Sequence, residues 1–434
     1  MAKKTKMTRE EISWILYDVA NSAFVLVMIT AIMPIYFKDV AAQGIPNAVS
    51  TANWGFANSA AALIVALLAP ILGTLADYKD RKKLFFLFFL SVGVLFNLSL
   101  PFVSAGQWLL CLVLFICARV GWAGANIFYD AFLVDVTSHK RMDMISARGY
   151  AFGYIGSVIP FLIIISLILT AGKSDSTLPI SQTRIGFCIV ALWWLLLSIP
   201  AIKTLKQVHY LEPTPEILKD SFRRLATTFT SIKKHRQVFW FLLAYFFYID
   251  GVGTIISMST AYGRDLGFGV TLLIVVLLFI QIVAFPFALL YGKLAGRFTT
   301  RKMLMTGIFV YCLVTILAFL LPFIEDMGTK TALFWFIAFL VASSMGGVQA
   351  LSRSYFGKLI PPENSAEFFG FYNVFGKFAA ITGPFLMGIV GRLTGDSRWG
   401  VLSILVLFII GAYFLTKVED SSPDATSPPV SNDA

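Results

Sequence analysis

The chain is poor in charge, cysteine and histidine. Only 14% of its 434 residues are charged, against about 25% in ordinary soluble domains, which excludes a soluble enzyme and a disordered chain. The four cysteines, Cys111, Cys117, Cys188 and Cys312, lie in apolar runs without a C-x-x-C pair. They predict neither a disulfide framework nor a metal site. The three histidines all lie in polar connections, so any proton carrier inside a membrane has to be a carboxylate.

Short motifs of nucleotide and hydrolytic chemistry are also missing. The chain has no Walker loop, no H-E-x-x-H and no G-x-S-x-G, and its 32 glycines form no phosphate-binding loop. We therefore expect no enzyme activity, no ATP-driven step and no metal or other cofactor. The net charge of +11 is also found in proteins that bind nucleic acid. In so apolar a chain, basic residues that flank membrane segments explain the charge better, and no nucleic-acid partner is expected.

Hydrophobic residues, in contrast, are abundant and fall into long runs. They make up 58% of the chain, and a bilayer-spanning helix needs about 20 of them, so the supply fills roughly twelve spans. Twelve such runs can be placed along the chain. They predict helices, because isolated apolar runs cannot close a barrel. The expected fold is an all-α membrane protein with 12 transmembrane helices in two six-helix halves, embedded in the lipid bilayer.

The distribution of Lys and Arg predicts the orientation. With the N-terminus inside, 26 of these residues fall on the inner side and 7 on the outer side, so both termini are expected in the cytoplasm. The longest connection divides the chain into an N-terminal six-helix bundle (1–203), a cytoplasmic linker (204–237) and a C-terminal six-helix bundle (238–417). The polar, Pro-rich residues 418–434 predict a disordered tail.

The linker carries a helical pattern of its own. Its apolar residues share an arc of roughly 140° at 100° per residue: Ile217, Leu218, Phe222, Leu225, Phe229 and Ile232. Four basic residues accompany them: Arg223, Arg224, Lys233 and Lys234. The pattern predicts a basic amphipathic helix on the inner membrane surface. A regulatory docking site is the alternative.

The two halves resemble each other in sequence. Gly73 of a Gly-Thr-Leu-Ala stretch and Gly292 of a Gly-Lys-Leu-Ala stretch follow matching spans, 219 positions apart. Asp130 in span 4 and Arg353 in span 10 occupy matching places at an offset of 223. Near-equal offsets indicate an internal duplication. This is the expected construction of a transporter whose two bundles rock around a site between them.

Several motifs together carry a family resemblance. The loop Gly73-x-x-x-Asp77-x-x-x-Arg81-Lys82-Lys83 resembles the signature loop of the major facilitator superfamily, with Asp80 where a glycine is usual. Four further stretches resemble the family of the fungal vacuolar amino-acid effluxer of autophagy: Trp14-x-x-Tyr17-Asp18-x-Ala20-Asn21-Ser22, Ser146-x-Arg148-Gly149-x-Ala151-x-Gly153-Tyr154, Tyr248-x-Asp250-Gly251 and Gly347-x-Gln349-Ala350-x-Ser352-Arg353-Ser354-Tyr355. The resemblance implies the major facilitator fold, a monomer, and secondary transport with amino acids as substrates. The short connections resemble prokaryotic members, which implies a bacterial inner membrane.

Three charged residues are expected near the middle of the membrane, where each costs about 2.5–3.5 kcal/mol on insertion scales. They are Asp250 in span 7, Arg119 in span 4 and Lys377 in span 11, with the polar Asn373 nearby. One acid and two bases at the same depth could bind a zwitterion. Asp250 would bind its ammonium group, and Arg119 or Lys377 would bind its carboxylate. The alternative is a structural ion pair between Asp250 and one of the bases.

A second group of polar residues is expected nearer the inner side. Asp18 and Asn21 belong to a polar stripe on span 1, where Asp18 would guard the cytoplasmic mouth of a cavity or carry the coupling proton. The alternative pairs Asp18 with a base in a loop. Asn126 and Gln349 lie one turn deeper than Asp130 and Arg353, where they either line the cavity or link helices by hydrogen bonds.

Two contacts between the halves are predicted at the inner side. A salt bridge between Asp130 and Arg353 would close a gate. Because a buried ion pair gains little or no net free energy, such a pair suits a switch between two conformations. Asp77 would meet the N-terminus of a helix in the other half, with Arg81 on an acid at the end of span 4. The alternative to the gate pairs Asp130 or Asp135 with Arg81 within one half.

These patterns favour a secondary transporter of small polar metabolites, amino acids first, that exports them by alternating access. The proton is the expected coupling ion, through Asp250 or Asp18. One alternative is an exporter or flippase of amphipathic, lipid-like molecules, since 15% of the residues are aromatic. A solute sensor without transport is a more distant alternative, because only the linker helix and the short tail project from the membrane.

Overall fold

The computed structural model describes residues 6–171, 179–231 and 235–419. A few side chains within these ranges, including that of Lys377, are outside the description. Residues Ile232, Lys233 and Lys234 of the predicted linker helix, and the predicted tail from residue 420 onward, also lie outside the described residues. The described part is almost entirely helical, with one isolated bridge between Tyr78 and Leu211.

Twelve long helices, α1 to α12, follow one another through the described residues. In chain order they are Arg9–Phe24, Asn47–Ala76, Arg81–Ser99, Trp108–Ala131, Met142–Thr170, Ile180–Thr204, Arg236–Asp265, Val270–Ala295, Thr300–Leu320, Met327–Leu359, Ser365–Thr394 and Ser397–Thr416. A π-helical segment, Val25–Ala31, continues α1. By length and composition, eleven of the twelve can cross a membrane when the described residues are searched. The twelfth, α11, has 30 residues.

Local sequence signals fix where several helices begin. Thr8 caps α1 in a capping box, because its hydroxyl accepts from the Glu11 N–H at 3.1 Å and the Glu11 carboxylate accepts from the Thr8 N–H at 3.0 Å. Asp326 caps α10 by accepting from the Thr329 N–H. Asp80, just before α3, has φ 62° and ψ 1°. This left-handed conformation favours glycine, so Asp80 holds the turn that the superfamily loop normally gives to glycine.

The helices form two six-helix halves that meet along related surfaces. In the N-terminal half α1 packs on α5 and α6, and in the C-terminal half α7 packs on α11 and α12. Between the halves, α2 packs on α11 and α5 packs on α8 and α10. The prediction of an all-α membrane protein in two six-helix halves is confirmed. The chain is an integral, multi-pass membrane protein.

The repeated glycines lie at these interfaces between the halves. A Cβ on Gly73 of α2 would lie 2.5 Å from the carbonyl oxygen of Ala366 in α11. A Cβ on Gly292 of α8 would lie 2.4 Å from Cβ of Ala147 in α5. Both distances are below normal contact, so only glycine allows each helix pair to approach this closely. The offset of 219 found in the sequence thus corresponds to a repeated packing contact.

A separate helix, Ile217–Ser231, lies in the connection between the halves, and we call it the connecting helix. The chain before it pairs with the α2–α3 loop, where the Leu211 N–H donates to the Asp77 carbonyl at 2.9 Å and the Lys79 N–H donates to the Leu211 carbonyl at 3.1 Å. The start of α1 lies at the same end of the bundle, since Arg141 of the α4–α5 connection donates to the Glu11 carboxylate at 2.7 Å. Residues 418–419 also lie at this end, since the Tyr355 hydroxyl donates to the Glu419 carbonyl. We call this end the linker face.

Candidate functional site

Arg353 of α10 joins four helices near the linker face. It is 2% exposed, and its Nη2 donates to Asp18 Oδ2 of α1 at 3.0 Å. Its Nη1 donates to Asp130 Oδ1 of α4 at 3.2 Å, and its Nε donates to Ser146 Oγ of α5 at 3.0 Å. All three partners belong to the opposite half. We call these four residues the Arg353 lock.

Aromatic rings hold the guanidinium in place. The guanidinium carbon of Arg353 lies 4.5 Å from the ring centre of Trp14 and 4.4 Å from that of Tyr150, which are distances of cation–π contact. The Trp14 Nε1–H donates to the Tyr129 carbonyl at 2.9 Å. A planar guanidinium stacks flat on aromatic rings while its fixed set of N–H groups donates in the plane, a combination that the compact ammonium of lysine does not offer.

The lock contains the predicted contact between Asp130 and Arg353 and adds Asp18 to it. Asp18 therefore pairs with Arg353 of the other half and not with a loop base. Two carboxylates around one guanidinium leave one excess negative charge in a nearly closed site. Because buried ion pairs gain little net stability, such a site favours neither closure nor opening strongly.

Asp77 makes the predicted contact with a helix N-terminus. Its Oδ1 accepts from the Ala366 N–H at 2.8 Å, and its Oδ2 accepts from the Glu367 N–H at 3.1 Å. These are N–H groups of the first turn of α11, which have no partner within their own helix. The carboxylate also lies at the positive end of the helix dipole. Asp77 thus ties the end of α2 to α11 across the interface.

The prediction for Arg81 is wrong, because the neighbouring Lys82 makes the contact with the acid at the end of α4. Lys82 Nζ donates to Asp135 Oδ2 at 2.7 Å and to Ser365 Oγ at 2.8 Å, and Lys82 is fully buried. Arg81 is exposed. Since α3 begins at Arg81 and successive residues point about 100° apart, both side chains cannot face the interface. The other carboxylate oxygen of Asp135 accepts from the His209 N–H at 2.9 Å.

A layer of neutral polar groups lies about one turn deeper than the lock. Asn21 Oδ1 accepts from Trp122 Nε1 at 3.2 Å and lies 3.5 Å from Asn126 Nδ2. The Tyr154 hydroxyl donates to Gln349 Oε1 at 3.1 Å, which links α5 to α10. Asn126 and Gln349 therefore act as hydrogen-bond partners between helices here. Asn373 donates to its own helix, at the Phe369 carbonyl.

Two of the charges predicted for the membrane centre, Asp250 and Arg119, do not come together. Asp250 is fully buried in the C-terminal half, where its Oδ1 accepts from the Gly383 N–H of α11 at 2.8 Å. Its Oδ2 has no hydrogen-bond partner among the described residues. The expected approach of Asp250 to Arg119 is wrong, because Asp250 packs against α11, where Gly383 has no side chain to displace it. The side chain of Lys377 lies outside the described residues.

Arg119 instead shares a face of α4 with the other polar residues of that helix. Arg119, Trp122, Asn126 and Asp130 stand at positions i, i+3, i+7 and i+11, so Arg119 and Asp130 point only about 20° apart at 100° per residue. Asp130 reaches the opposite half, and this face of α4 is therefore directed between the halves. Arg119 is half-buried, about 16 Å deeper than Asp130 along the helix.

Comparison with known proteins places the chain in a family. Residues 6–425 match the family described as "Vacuole effluxer Atg22 like". The chain belongs to this Atg22-like family. The MFS-type transporter YxiO of Bacillus subtilis (strain 168) is 49% identical over 426 residues, which cover 97% of both chains. Autophagy-related protein 22-1 of Sclerotinia sclerotiorum is 27% identical over 311 residues, and the match spans only about half of that protein (51%) and 65% of this chain.

Solved structures show the same fold as the Atg22-like chain. The proton:xylose symporter XylE matches with a TM-score of 0.70 at 12% identity, over 95% of this chain and 96% of that one. The transporter FucP, in an outward conformation, matches with a TM-score of 0.72 at 14% identity, over 95% and 98%. The Atg22-like chain is a secondary transporter of the major facilitator superfamily and not an enzyme. Among the residues that the structure describes, no cluster of acids, histidines and cysteines could hold a metal ion.

Three of the motifs that carry the resemblance meet in space in this Atg22-like transporter. The stretches around Trp14 and Asp18, around Ser146 and Gly149, and around Arg353 together build the Arg353 lock. A Cβ on Gly149 would lie 2.4 Å from Asp18 Oδ2, so the glycine makes room for the carboxylate. Sequence positions far apart are thus combined at one place between the halves.

Sequence reasoning missed a further contact between the halves, made by Asp143. Asp143, in the first turn of α5, accepts from Lys358 Nζ at 2.5 Å, Ser354 Oγ at 2.6 Å and Thr300 Oγ1 at 2.8 Å. All three donors belong to the C-terminal half. The sequence signal for this contact is an acid, Asp143, at the start of a helix that follows a basic loop, together with a lysine, Lys358, in the last turn of α10.

The connecting helix also contributes a residue that was predicted only to face the membrane. Arg224 Nη2 donates to Glu367 Oε2 of α11 at 2.7 Å and lies 3.4 Å from Asp77 Oδ2 of α2. Arg224 therefore bridges two carboxylates from opposite halves. Ser221, one turn earlier, is 2% exposed, so this side of the helix is docked on the bundle.

Proposed function

We propose that this transporter exports amino acids, or other small polar metabolites, by alternating access, with the Arg353 lock as its inner gate. The observation that carries the proposal is the geometry of Arg353, which binds Asp18, Asp130 and Ser146 of the opposite half at once. The description of the family as a vacuole effluxer supports export. The contacts between the halves at Arg353, Asp77, Lys82 and Asp143 all lie near the linker face.

The lock works as a gate because its members belong to two rigid bodies. When the halves rock, Arg353 must leave both carboxylates, and these then face water instead of a guanidinium. Buried ion pairs gain little net free energy over their hydrated state. The two conformations can therefore lie close in free energy, as a transport cycle requires.

Substrate binding is assigned to the face of α4 above the lock. Arg119 is half-buried and makes no ion pair among the described residues, so it is available to bind a carboxylate by charge-assisted hydrogen bonds. The amide oxygens of Asn126 and Asn21 lie between it and the lock, where they can accept from an ammonium. An amino acid presents both groups.

Proton coupling is assigned to the lock. Its two carboxylates share one guanidinium, and a proton on Asp18 or Asp130 removes the excess negative charge. Protonation therefore favours separation of the halves, since Arg353 then loses one ionic partner. Asp250 is the weaker choice, because it is sealed against α11 and faces no other charged group within the described residues.

Orientation and location complete the proposal. The excess of Lys and Arg on one side of the membrane supports a cytoplasmic linker face and cytoplasmic termini. The relative in Bacillus subtilis matches 97% of the chain, which supports the inner membrane of a bacterium. We propose a monomer, which is the default state of this architecture.

Counterflow into proteoliposomes tests the function. Vesicles with purified protein are preloaded with single unlabelled amino acids and assayed for uptake of the labelled compound. We expect uptake with a subset of amino acids, and a roughly ten- to hundredfold higher half-saturation concentration in Arg119→Gln, since a hydrogen bond to a charged group contributes about 1.5–3 kcal/mol. Arg297→Gln, at an exposed position, is the matched control. If amphipathic dyes move and no amino acid does, the proposed substrate class is wrong.

A further inference from the structure

The connecting helix has two different apolar surfaces. Ile217 and Ser221 share the side that carries Arg224 and rests on α2. Leu218 and Phe222 lie on the adjacent side and are 65% and 55% exposed. Since residues at i and i+4 stand on one face of a helix, these two side chains form a continuous apolar strip that the protein does not cover.

The depth of this strip is fixed by the contact of Arg224 with Asp77. Asp77 follows directly on Ala76, the last residue of the membrane-spanning part of α2. The connecting helix is therefore held at the level where the bilayer ends. At this depth an exposed apolar strip meets the boundary between lipid head groups and acyl chains, as in helices that lie in the membrane interface.

Basic side chains accompany the strip. Arg223 and Lys219 follow Phe222 and Leu218 around the helix and are exposed, although Lys219 also pairs with Glu216. Lys79 and Arg81 of the α2–α3 loop are exposed beside the same connection. An apolar strip flanked by cations complements an anionic lipid surface.

We propose that the connecting helix binds anionic lipid at the inner leaflet through Leu218, Phe222 and Arg223, and that this binding stabilises the closed linker face. The link is Arg224, which projects from the docked side of the same helix onto Asp77 and Glu367. Lipid bound to one side of the connecting helix keeps the helix docked on the bundle, and Arg224 on the other side then bridges α2 and α11. This inference rests on the proposed alternating access only in requiring that the linker face can open.

The experiment measures closure directly in bilayers of known composition. Spin labels are placed at Lys140→Cys and Lys302→Cys, two exposed positions on opposite halves at the linker face, after the native cysteines are replaced by alanine. Electron–electron distance distributions are recorded in nanodiscs of phosphatidylcholine alone and with phosphatidylglycerol. We expect phosphatidylglycerol to raise the ratio of closed to open molecules, and high salt to cancel the effect.

Variants identify the surface responsible. Arg223→Gln is expected to reduce the effect of phosphatidylglycerol on that ratio about fivefold, because one basic residue near an anionic surface contributes about 1 kcal/mol. The double variant Leu218→Ser/Phe222→Ser is expected to abolish it. Lys38→Gln and Phe102→Ser, exposed residues at the opposite end of the bundle, serve as controls and are expected to respond like the parent protein.

The outcomes separate this inference from the proposed function. Equal closure in both lipid mixtures overturns the lipid proposal while alternating access stands. An effect of phosphatidylglycerol that survives in Leu218→Ser/Phe222→Ser also overturns it, because another surface would then bind the lipid. A single short distance under every condition, including low pH and saturating substrate, contradicts opening itself and with it both proposals.

Discussion

Arg353 and Asp18 lie 335 positions apart in the chain, and yet Arg353 Nη2 donates to Asp18 Oδ2 at 3.0 Å. The first residue belongs to α10 of one half and the second to α1 of the other. Asp130 of α4 completes the contact at 3.2 Å. This polar link between the halves is therefore a single cation held by two anions, and every movement that separates the halves there must break it.

The glycines at the two interfaces give a steric prediction. Gly292→Ala would place a methyl group 2.4 Å from the Ala147 side chain, and Gly73→Ala would place one 2.5 Å from the backbone of Ala366. We expect both substitutions to hold the linker face partly open, seen as a longer distance between spin labels at positions 140 and 302.

A second substitution distinguishes the two interfaces. Ala147→Gly is expected to restore closure in the Gly292→Ala variant, because a side chain can be removed there. No such rescue is expected for Gly73→Ala, whose methyl group meets backbone. Gly55→Ala, with nothing within 4 Å of its new methyl group, is the control. Loss of closure in Gly55→Ala would show that glycine flexibility, and not close packing, is responsible.

Two histidines predict opposite responses of stability to pH. The hydrogen bond with Asp135 raises the pKa of His209, which also faces Lys82 and Glu363. Its contribution to the free energy of unfolding is thus present below pH 6.5 and is lost as the pH rises through the higher folded-state pKa. Burial, with Lys358 nearby, lowers the pKa of His139. Its contribution is lost as the pH falls below 6.5.

Thermal unfolding of single variants checks these signs. His209→Gln is expected to lower the melting temperature at about pH 5 more than at about pH 8, and His139→Gln is expected to be less harmful at the lower pH. If both variants change the melting temperature by the same amount at every pH, the partners assigned to His209 and His139 are wrong.

Carboxylates in the lock and outside it should differ in proton coupling. Asp18→Asn removes a proton-binding group from the lock, so we expect uptake that no longer responds to a pH gradient while exchange continues. Asp250→Asn keeps an oxygen that accepts from the Gly383 N–H, and we expect an almost unchanged response. Uptake in proteoliposomes with equal and unequal pH measures both. The reverse pattern would transfer the coupling role to Asp250.

The contact of Asp143 with Lys358 predicts coupling between two substitutions. Asp143→Asn removes the negative charge that pairs with the nearly buried ammonium of Lys358, and breaking a buried ion pair from one side costs about 3–5 kcal/mol. The double variant Asp143→Asn/Lys358→Met is expected to be more stable than Asp143→Asn alone, because no charge is left unpaired. A double-mutant cycle on unfolding measures this, and strict additivity would contradict the contact.

The fold could be predicted because its signals are long and repeated. Apolar runs of the length of a bilayer define the twelve helices without reference to their partners, and the offset of Gly73 and Gly292 reveals the two halves. The contacts of some charged residues could also be predicted, because few partners are open to them. Asp77 meets a helix N-terminus, and Asp130 meets Arg353, because charged groups at matching places in a repeat have few other partners in a membrane.

The rest of the site depended on helix rotation and on close packing, which spacing alone does not fix. Arg81 and Lys82 are adjacent in sequence, and the choice between them depends on the turn at Asp80. The position of Asp250 along its helix predicts its depth in the membrane but not the direction of its side chain. The side chain turns to α11, where Gly383 has no side chain and its N–H donates to the carboxylate. Arg224 was interpreted from charge alone, which could not reveal the carboxylates of Asp77 and Glu367 beneath it.

The most direct test is the distance between spin labels at positions 140 and 302 in Arg353→Gln. Without the guanidinium, Asp18 and Asp130 of the N-terminal half are left as buried carboxylates with no cation, and the halves should separate at the linker face so that water can reach both carboxylates. We predict a shift from a short to a long distance at neutral pH, a return towards the short distance when the carboxylates are protonated, and no shift in Arg297→Gln. An unchanged short distance in Arg353→Gln would contradict the assignment of Arg353 as the gate.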